Sequence, residues 1–308
     1  MPSTGKPLLV VSRTDRRQQN ALAIDLAQAL DGEIVSASRQ IYREMDIGTA
    51  KPTPEQRAQT VHHLIDVVAP DEDLSLAQYQ RLAYQTIDGI HHRETRLPLL
   101  VGGTGQYITA LLEGWSSGSA AEPGAARGTR SRASASGVDA LYARLLALDP
   151  QAAEFVRPRN LRRIVRALEV CIETGQPFSQ QRGKHPPPYR VMTYGLTLER
   201  AQLYARADQR VLDMMTDGFL DEVRGLLARG YSRSLPSMSG LGYAQLATHI
   251  LDGVPLDEAV LATQNATHNF IRRQYTWFRG HDHAIVWHNV DSAARSDLID
   301  AARRWLGS

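Results

Sequence analysis

Cysteine is almost missing from this chain of 308 residues: Cys171 stands alone. That excludes an internal disulfide and any zinc site built from cysteines. Long apolar runs are missing too, and nothing approaches the roughly 18–20 residues of a membrane span. The N-terminal segment offers only PLLVV before it turns polar. That is too short for a signal peptide, so the expectation is a cytoplasmic protein with no membrane partner. Charge of one sign is scarce: 35 Lys and Arg stand against 33 Asp and Glu, a net +2. Composition alone therefore points to no polyanionic partner. What is present, 43% hydrophobic and 22% charged residues, is ordinary globular composition and excludes a disordered chain. The length suits about two domains.

Strands and helices alternate along the first third. PLLVV, EIVSA, HHLIDVV (62–68) and LPLLVGG (97–103) read as strands. Residues 21–30, 74–91 and 107–112 carry apolar residues at helical spacing. This alternation predicts an α/β domain with a parallel sheet. Residues 116–137 are small, polar and without periodicity, and read as a linker or loop. Helices are expected at 138–148 and 160–174. HPPPY (185–189) then makes a stiff hinge. A strand at 189–198, helices near 200–229, 240–251 and 256–278, and a strand at 284–290 complete the chain. The layout predicts a core domain of 1–115 plus 188–308, interrupted by a helical insert at 116–187. No internal repeat is visible.

Four strings carry chemistry. SRQIYREMDIGTAKP (38–52) follows a strand end, where open α/β sheets bind ligands. LPLLVGGTGQY (97–107) runs a strand into Gly-Gly-Thr and a helix start. Free N–H groups there suit a phosphate, although a plain tight turn explains the same residues. Arg206 and Arg210 share a helix face. FIRRQYTWFRG (270–280) interleaves Arg272, Arg273 and Arg279 with aromatics, a pattern that can hold phosphates and stack on bases. An amphipathic helix with Tyr275 or Trp277 in the core would look the same. Five arginines, Arg157, Arg159, Arg162, Arg163 and Arg166, crowd ten residues and make either a solvated face or a nucleic-acid stripe. His62, His63, His281 and His283 lack accompanying carboxylates and read as structural, and Cys171 reads as core.

Taken with ALAIDLAQALDGEIVSA, LRRIVRALEV and LPSMSGLGY, these strings resemble the tRNA dimethylallyltransferases, and the resemblance runs from Pro7 to about Trp287. It implies a phosphate-loop NTPase-like parallel-sheet core with a helical tRNA-binding insert. It also implies transfer of a dimethylallyl group from dimethylallyl diphosphate to N6 of adenosine-37 in tRNA, with the partner an anticodon stem–loop and the protein a monomer. Thr104 aligns with a threonine at the reaction centre, and Arg210 with an arginine on the departing pyrophosphate. Ser38, Arg39 and Gln40 align with the adenosine-contacting motif. Arg162, Arg163 and Arg166 fall where the insert touches RNA, which turns the reading of that stripe toward RNA contact. Ser237 to Gly242 align with another RNA-contacting segment.

The chain departs from the family at two places. The family loop Gly-Pro-Thr-Ala-x-Gly-Lys-Thr is replaced by Arg13, Thr14, Asp15, Arg16, Arg17, Gln18, Gln19 and Asn20. Both glycines are gone, and with them the tight backbone cradle. Gln19 stands for the phosphate-binding lysine and Asn20 for the magnesium-binding threonine, so the Mg2+ expected from the family keeps no protein ligand here. The family's Ala-Asp-Ser-x-Gln appears as Ala37-Ser38-Arg39-Gln40, without the aspartate that would act as base. Permitted codons for 12–20, read one nucleotide later, spell Pro-Gly-Pro-Thr-Ala-Val-Ser-Lys-Thr. Those for 117–132 can spell a proline-rich stretch followed by a helix. Two compensated frameshifts would account for both. The competing readings are a catalytically impaired relative that binds the stem–loop without prenyl transfer, a small-molecule kinase on the same core, and a transferase acting on free nucleotides.

Overall fold

The computed structural model describes residues 5–13, 16–72, 74–93, 96–116, 137–181, 183–280, 285–289 and 292–307. The expected linker at 116–137, save its two end residues, lies outside them, as do His281 and His283.

Eight strands and eleven helices make up the described chain. In order they are β1 (Lys6–Arg13), α1 (Arg16–Ala29), β2 (Gly32–Ser36), α2 (Pro54–Gln59), β3 (His62–His63), α3 (Leu76–His91), β4 (Leu97–Gly102), α4 (Gly105–Glu113) and β5 (Trp115–Ser116). Next come α5 (Val138–Leu148), α6 (Leu161–Thr174), β6 (Gly183–Lys184), β7 (Tyr189–Thr197), α7 (Arg200–Thr216) and α8 (Phe219–Ala228). The last are α9 (Tyr243–Asp252), α10 (Leu256–Gly280), β8 (Val286–Asn289) and α11 (Ser292–Leu306). The chain divides into two compact units. One holds residues up to Glu72, Leu82–Thr109 and Pro188–Ser308; the other holds Asp73–Arg81 and Ala110–Pro187.

The first unit is built on a six-stranded sheet of order β3-β2-β4-β1-β7-β8, with every pairing parallel. This is the expected α/β class. Central strands of such a sheet are covered on both faces, and β2 and β4 are buried throughout. Leu9, Val11, Leu99 and Val101 meet Leu22, Ala23 and Leu26 of α1 on one side of the core. Leu298 and Ala302 of α11 close the same cluster, and the Tyr194 hydroxyl donates to the Leu298 carbonyl at 2.9 Å. The chain leaves β1 toward β2 and leaves β4 toward β7. Their C-terminal ends therefore flank a switch point, the place where open sheets hold ligands.

In the second unit, Leu141 and Leu145 of α5 face Ile164, Ala167, Leu168 and Cys171 of α6. β5 and β6 pair as a short antiparallel ribbon. Cys171 is buried in this cluster, as its apolar helix face indicates.

Four expectations need correction. The strand at 62–68 shrinks to His62–His63, because Leu64 and Asp66 take left-handed φ values of 60° and 57°. The backbone beyond them pairs instead with the loop after β2: Asp66 N donates to Gln40 O, and Val67 N to Ile41 O. The helix near 200–229 is two helices, broken at Gly218 with φ 97°. The first helix starts at Arg16 rather than at residue 21. A C-terminal helix, α11, is present that the periodicity reading did not single out.

Candidate active site

The C-terminal end of β4 turns through Gly103 and Thr104 into α4. The Thr104 carbonyl accepts from Tyr107 N at 2.9 Å. Close approach explains the flanking glycines: a Cβ on Gly102 would stand 2.3 Å from the Ala37 carbonyl oxygen, and one on Gly105 2.3 Å from the Trp277 indole. Gln274 donates to the Gly103 carbonyl from α10. Thr104 is thus fixed at the mouth of β4 by backbone, indole and amide together.

Thr104 lines a cavity of about 270 Å³. Its cations are Arg39, Arg210 and Arg273, and no carboxylate is among its lining residues. Val211, Met214, Leu241 and Phe270 supply an apolar wall, and Thr49, Ser239 and Thr263 supply hydroxyls. Arg210 lies on the same face of α7 as the buried Leu203, Ala207, Val211 and Met214, and Val211 and Met214 line the cavity beside it. Arg206, one turn earlier on the same helix, is exposed and is not part of the lining. The lining combines cationic and hydroxyl donors with apolar side chains. It fits a molecule with an anionic head and a short hydrocarbon tail.

The motif after β2 is knitted into the scaffold. Ser36 Oγ lies 3.0 Å from Ser38 Oγ and donates to Gln40 Oε1 at 2.9 Å. Gln40 Nε2 donates to the Ala50 carbonyl at 2.8 Å. Ser38 and Gln40 are both buried. Arg39 points the other way and clasps the 236–239 turn, donating to Pro236 O at 2.8 Å, Ser237 O at 2.9 Å and Ser239 Oγ at 3.1 Å. Burial pushes the Tyr107 phenol up, and the nearby Arg39 guanidinium partly offsets this. Ser237 is fully buried, and its hydroxyl donates to the Pro70 carbonyl at 2.6 Å. Its position is that of a scaffold residue rather than a surface contact. Gly242 has φ 83°, and a Cβ there would meet Phe219 at 2.3 Å.

Beside this lies a larger cavity of about 620 Å³, lined in part by Asn20, Asp46, Lys51, Arg57 and Asp66. Lys51 Nζ donates to the Tyr42 carbonyl at 2.8 Å and pairs with Asp46 and Asp66, and Arg57 pairs with Asp66 at 2.6 Å. Burial alone would raise the Asp66 carboxyl, but the hydrogen bonds and charges of Lys51 and Arg57 hold it below the usual carboxylate range.

At the divergent loop, Gln19 is buried and its amide donates to the Val11 carbonyl at 2.7 Å. Asn20 Nδ2 donates to the Ala50 carbonyl at 3.3 Å. Magnesium takes several oxygen ligands, usually carboxylates and phosphates. The Gln19 amide, buried and used by the backbone, does not fit that role, and the half-buried Asn20 brings an amide rather than a carboxylate. Among the described residues no group of three or more His, Cys, Asp or Glu could hold a metal ion. His62 Nδ1 lies 2.9 Å from the Thr60 carbonyl and His63 Nε2 2.6 Å from Glu33, both as structural partners.

The interleaved aromatics of α10 face inward. Tyr275 hydrogen-bonds Thr197 at 3.1 Å, Trp277 Nε1 donates to Thr109 Oγ1 at 2.9 Å, and Phe278 is buried. Arg272 and Arg273 are exposed. In the second unit, Arg162 and Arg163 are exposed on α6, while Arg166 lies 3.7 Å from Glu169. Sequence reasoning did not reach Glu222, Asp46, Lys51 or Asp66. The partners of Glu222 and Asp66 come from remote or irregular segments, and no local pattern marks them.

A family model described as IPP transferase matches residues 40–281. The chain belongs to the IPP transferase family. The match begins at Gln40, the last residue of the second divergent segment. Among curated relatives, the tRNA dimethylallyltransferase of Roseiflexus castenholzii is 54% identical over 275 residues, 89% of this chain and 90% of that protein. Its namesake from Roseiflexus sp. strain RS-1 is 48% identical over 97% of this chain and 99% of its own length. Among solved structures, the full-length tRNA isopentenylpyrophosphate transferase from Bacillus halodurans is 34% identical, with TM-score 0.72, over 98% of this chain and 97% of that one. A eukaryotic dimethylallyltransferase acting on tRNA is 22% identical with TM-score 0.80 over 98% of this chain and 78% of that one, a likeness of fold. The parallel sheet is therefore the phosphate-loop-like core of this family. No helix among the described residues is long and apolar enough to cross a membrane.

Proposed function

We propose that the chain is built to transfer a dimethylallyl group from dimethylallyl diphosphate to N6 of adenosine-37 in the anticodon stem–loop of tRNA. One observation carries the reading: a cavity at the end of β4 with three arginines, no carboxylate and an apolar wall. The head-and-tail chemistry of an allylic diphosphate matches it. N6 would attack the allylic carbon while the carbon–oxygen bond to the diphosphate breaks, and the amine proton leaves to a base. Arg210 and Arg273, with the Thr104 hydroxyl, would take up the negative charge developing on the leaving diphosphate. The adenine must leave its stack to reach that carbon. Ser38, Gln40 and Ser237 would act by shaping the wall, because their side chains are buried. Arg39 and Gly242 would set the 236–242 turn against it. Arg162, Arg163 and Arg166 would hold RNA phosphates. No step is assigned to magnesium, since Gln19 and Asn20 offer it no suitable ligand.

A second reading has its own observation. The Gln19 amide is buried against Val11, and no carboxylate stands between Ala37 and Ser38. Removing one charge-stabilising donor typically costs about 10²–10³ in rate. A chain that lacks the loop and the base together can bind the stem–loop without measurable transfer.

One experiment separates them. The full chain is incubated with dimethylallyl diphosphate and a stem–loop carrying adenosine-37, and the RNA is weighed by mass spectrometry. A gain of one prenyl group, lost in Arg210→Gln, supports the transferase. Salt-sensitive binding with no change in mass supports the second reading, and no binding of RNA or diphosphate overturns both.

A further inference from the structure

Three successive backbone N–H groups converge on one side chain. Asp46 N and Ile47 N donate to Glu222 Oε2 at 2.9 and 2.8 Å, and Gly48 N donates to Oε1 at 3.3 Å. The Tyr243 hydroxyl donates to the same Oε1 at 2.6 Å. Consecutive N–H groups that point to one spot form a nest for an anion. Here the anion is internal, supplied from α8, and among the described residues Glu222 enters no salt bridge. Its charge is met by backbone and hydroxyl dipoles.

The turn that Glu222 holds separates two cavities. Gly48 and Thr49 line the arginine cavity, while Asp46, Ile47 and Ala50 line the larger one. The turn also sits on an aromatic seat. Phe219 and Tyr243 meet edge to face with centroids 4.9 Å apart, and a Cβ on Gly48 would stand 2.3 Å from Phe219 and 2.5 Å from Tyr243. Phe219 and Glu222 lie three apart on α8, so one helix face supplies both seat and clamp.

We infer that Glu222 is a positioning residue for the arginine cavity, holding the Gly48–Thr49 edge at the height the prenyl diphosphate needs. The inference rests on reading that cavity as the diphosphate site. A merely structural carboxylate would affect melting but not ligand affinity in a folded variant.

Glu222→Gln keeps one oxygen for two of the four donors and places an NH2 against the other two. Tyr243→Phe removes a single donor and leaves the carboxylate, and it serves if the first variant does not fold. Asp221→Asn, at an exposed position paired with Arg224, is the control. On the full chain, calorimetry reads the Kd for dimethylallyl diphosphate, and hydrogen exchange reads the amides of Ile47 and Gly48. In Glu222→Gln both exchange and Kd should rise about tenfold, some 1.4 kcal/mol in Kd. Tyr243→Phe should move both by less, and the control neither. Faster exchange in a folded variant with unchanged Kd overturns the inference, as does unchanged exchange. If the unmodified chain binds no dimethylallyl diphosphate, the reading of the cavity fails instead, and exchange still decides whether Glu222 holds the turn.

Discussion

Gln19 occupies the position where the family resemblance expects a phosphate-binding lysine, and replacing it tests whether that position is open or closed. Its amide is 2% exposed and donates to Val11 O at 2.7 Å. Gln19→Ala removes a buried hydrogen bond to a β1 carbonyl, which costs about 0.5–1.5 kcal/mol. The lost side-chain contacts add to this, so about 2–4 kcal/mol is expected. Gln19→Lys differs in kind. An ammonium can still reach the Val11 carbonyl, but burying the charge costs several kcal/mol. The folded state then favours the neutral amine, and the lysine pKa falls below its unfolded value of about 10.4. The unfolded chain thus binds more protons, and stability rises with pH. Relative to the parent, Gln19→Lys should regain stability as pH climbs from 7 to 10, by up to about 1.4 kcal/mol per pH unit. The deficit of Gln19→Ala should stay flat. Urea unfolding at a series of pH values reads both. A Gln19→Lys protein as stable as the parent, with no pH trend, would refute the reasoning. The side chain would then reach solvent, and the phosphate-binding position would be open.

Two further outcomes are expected. Gly242→Ala forces a side chain onto φ 83° and into Phe219, and should cost about 2–4 kcal/mol in urea unfolding; a loss under 1 kcal/mol would contradict the geometry. Asp66→Asn removes the carboxylate shared by Lys51 and Arg57 and should cost about 1–3 kcal/mol at neutral pH. Because Asp66 titrates below the usual carboxylate range, the parent's advantage is complete above about pH 4 and fades only as pH falls through the folded value. An advantage already lost by pH 5 would show that the cluster does not hold the ionised form.

The parallel sheet was legible because its central strands are short apolar runs ended by glycine or small polar residues, as in LPLLVGG. The over-long third strand was not separable by composition. HHLIDVV is a good strand by content, yet its second half spends its N–H groups on Gln40 and Ile41. The break inside 200–229 did carry a signal: Asp217-Gly218 is a helix stop that the periodicity on both sides masked. The site was legible where residues act through local spacing, as with Thr104 at a strand end, whereas Arg210 lies on the buried face of its helix and periodicity alone does not mark it. The site was illegible where a side chain acts across the fold. Arg39 meets a turn nearly 200 residues away, and Glu222 a loop about 175 residues earlier.

Fold and chemistry come apart at the segment after β1. β1 is held by eight paired positions with β7 and four with β4, and α1 by Leu22, Ala23 and Leu26, all beyond the altered residues. Nothing that holds the sheet together depends on a glycine cradle. A family loop can therefore be rewritten from Arg13 to Asn20 while the strand before it and the helix after it keep their register. Gln19 even finds a backbone partner. The chemistry has less slack, because a phosphate cradle needs particular N–H groups and a cation, and the glycines and lysine that the resemblance assigns to it are replaced here. A shift of reading frame confined to nine codons predicts this asymmetry: every residue of the loop changes at once, while Leu8 to Val11 and the apolar residues of α1 beyond Asn20 are spared. Gradual decay would be expected to spread into the packing residues as well, and Leu8 to Val11 and Leu22 to Ala27 keep an intact buried core.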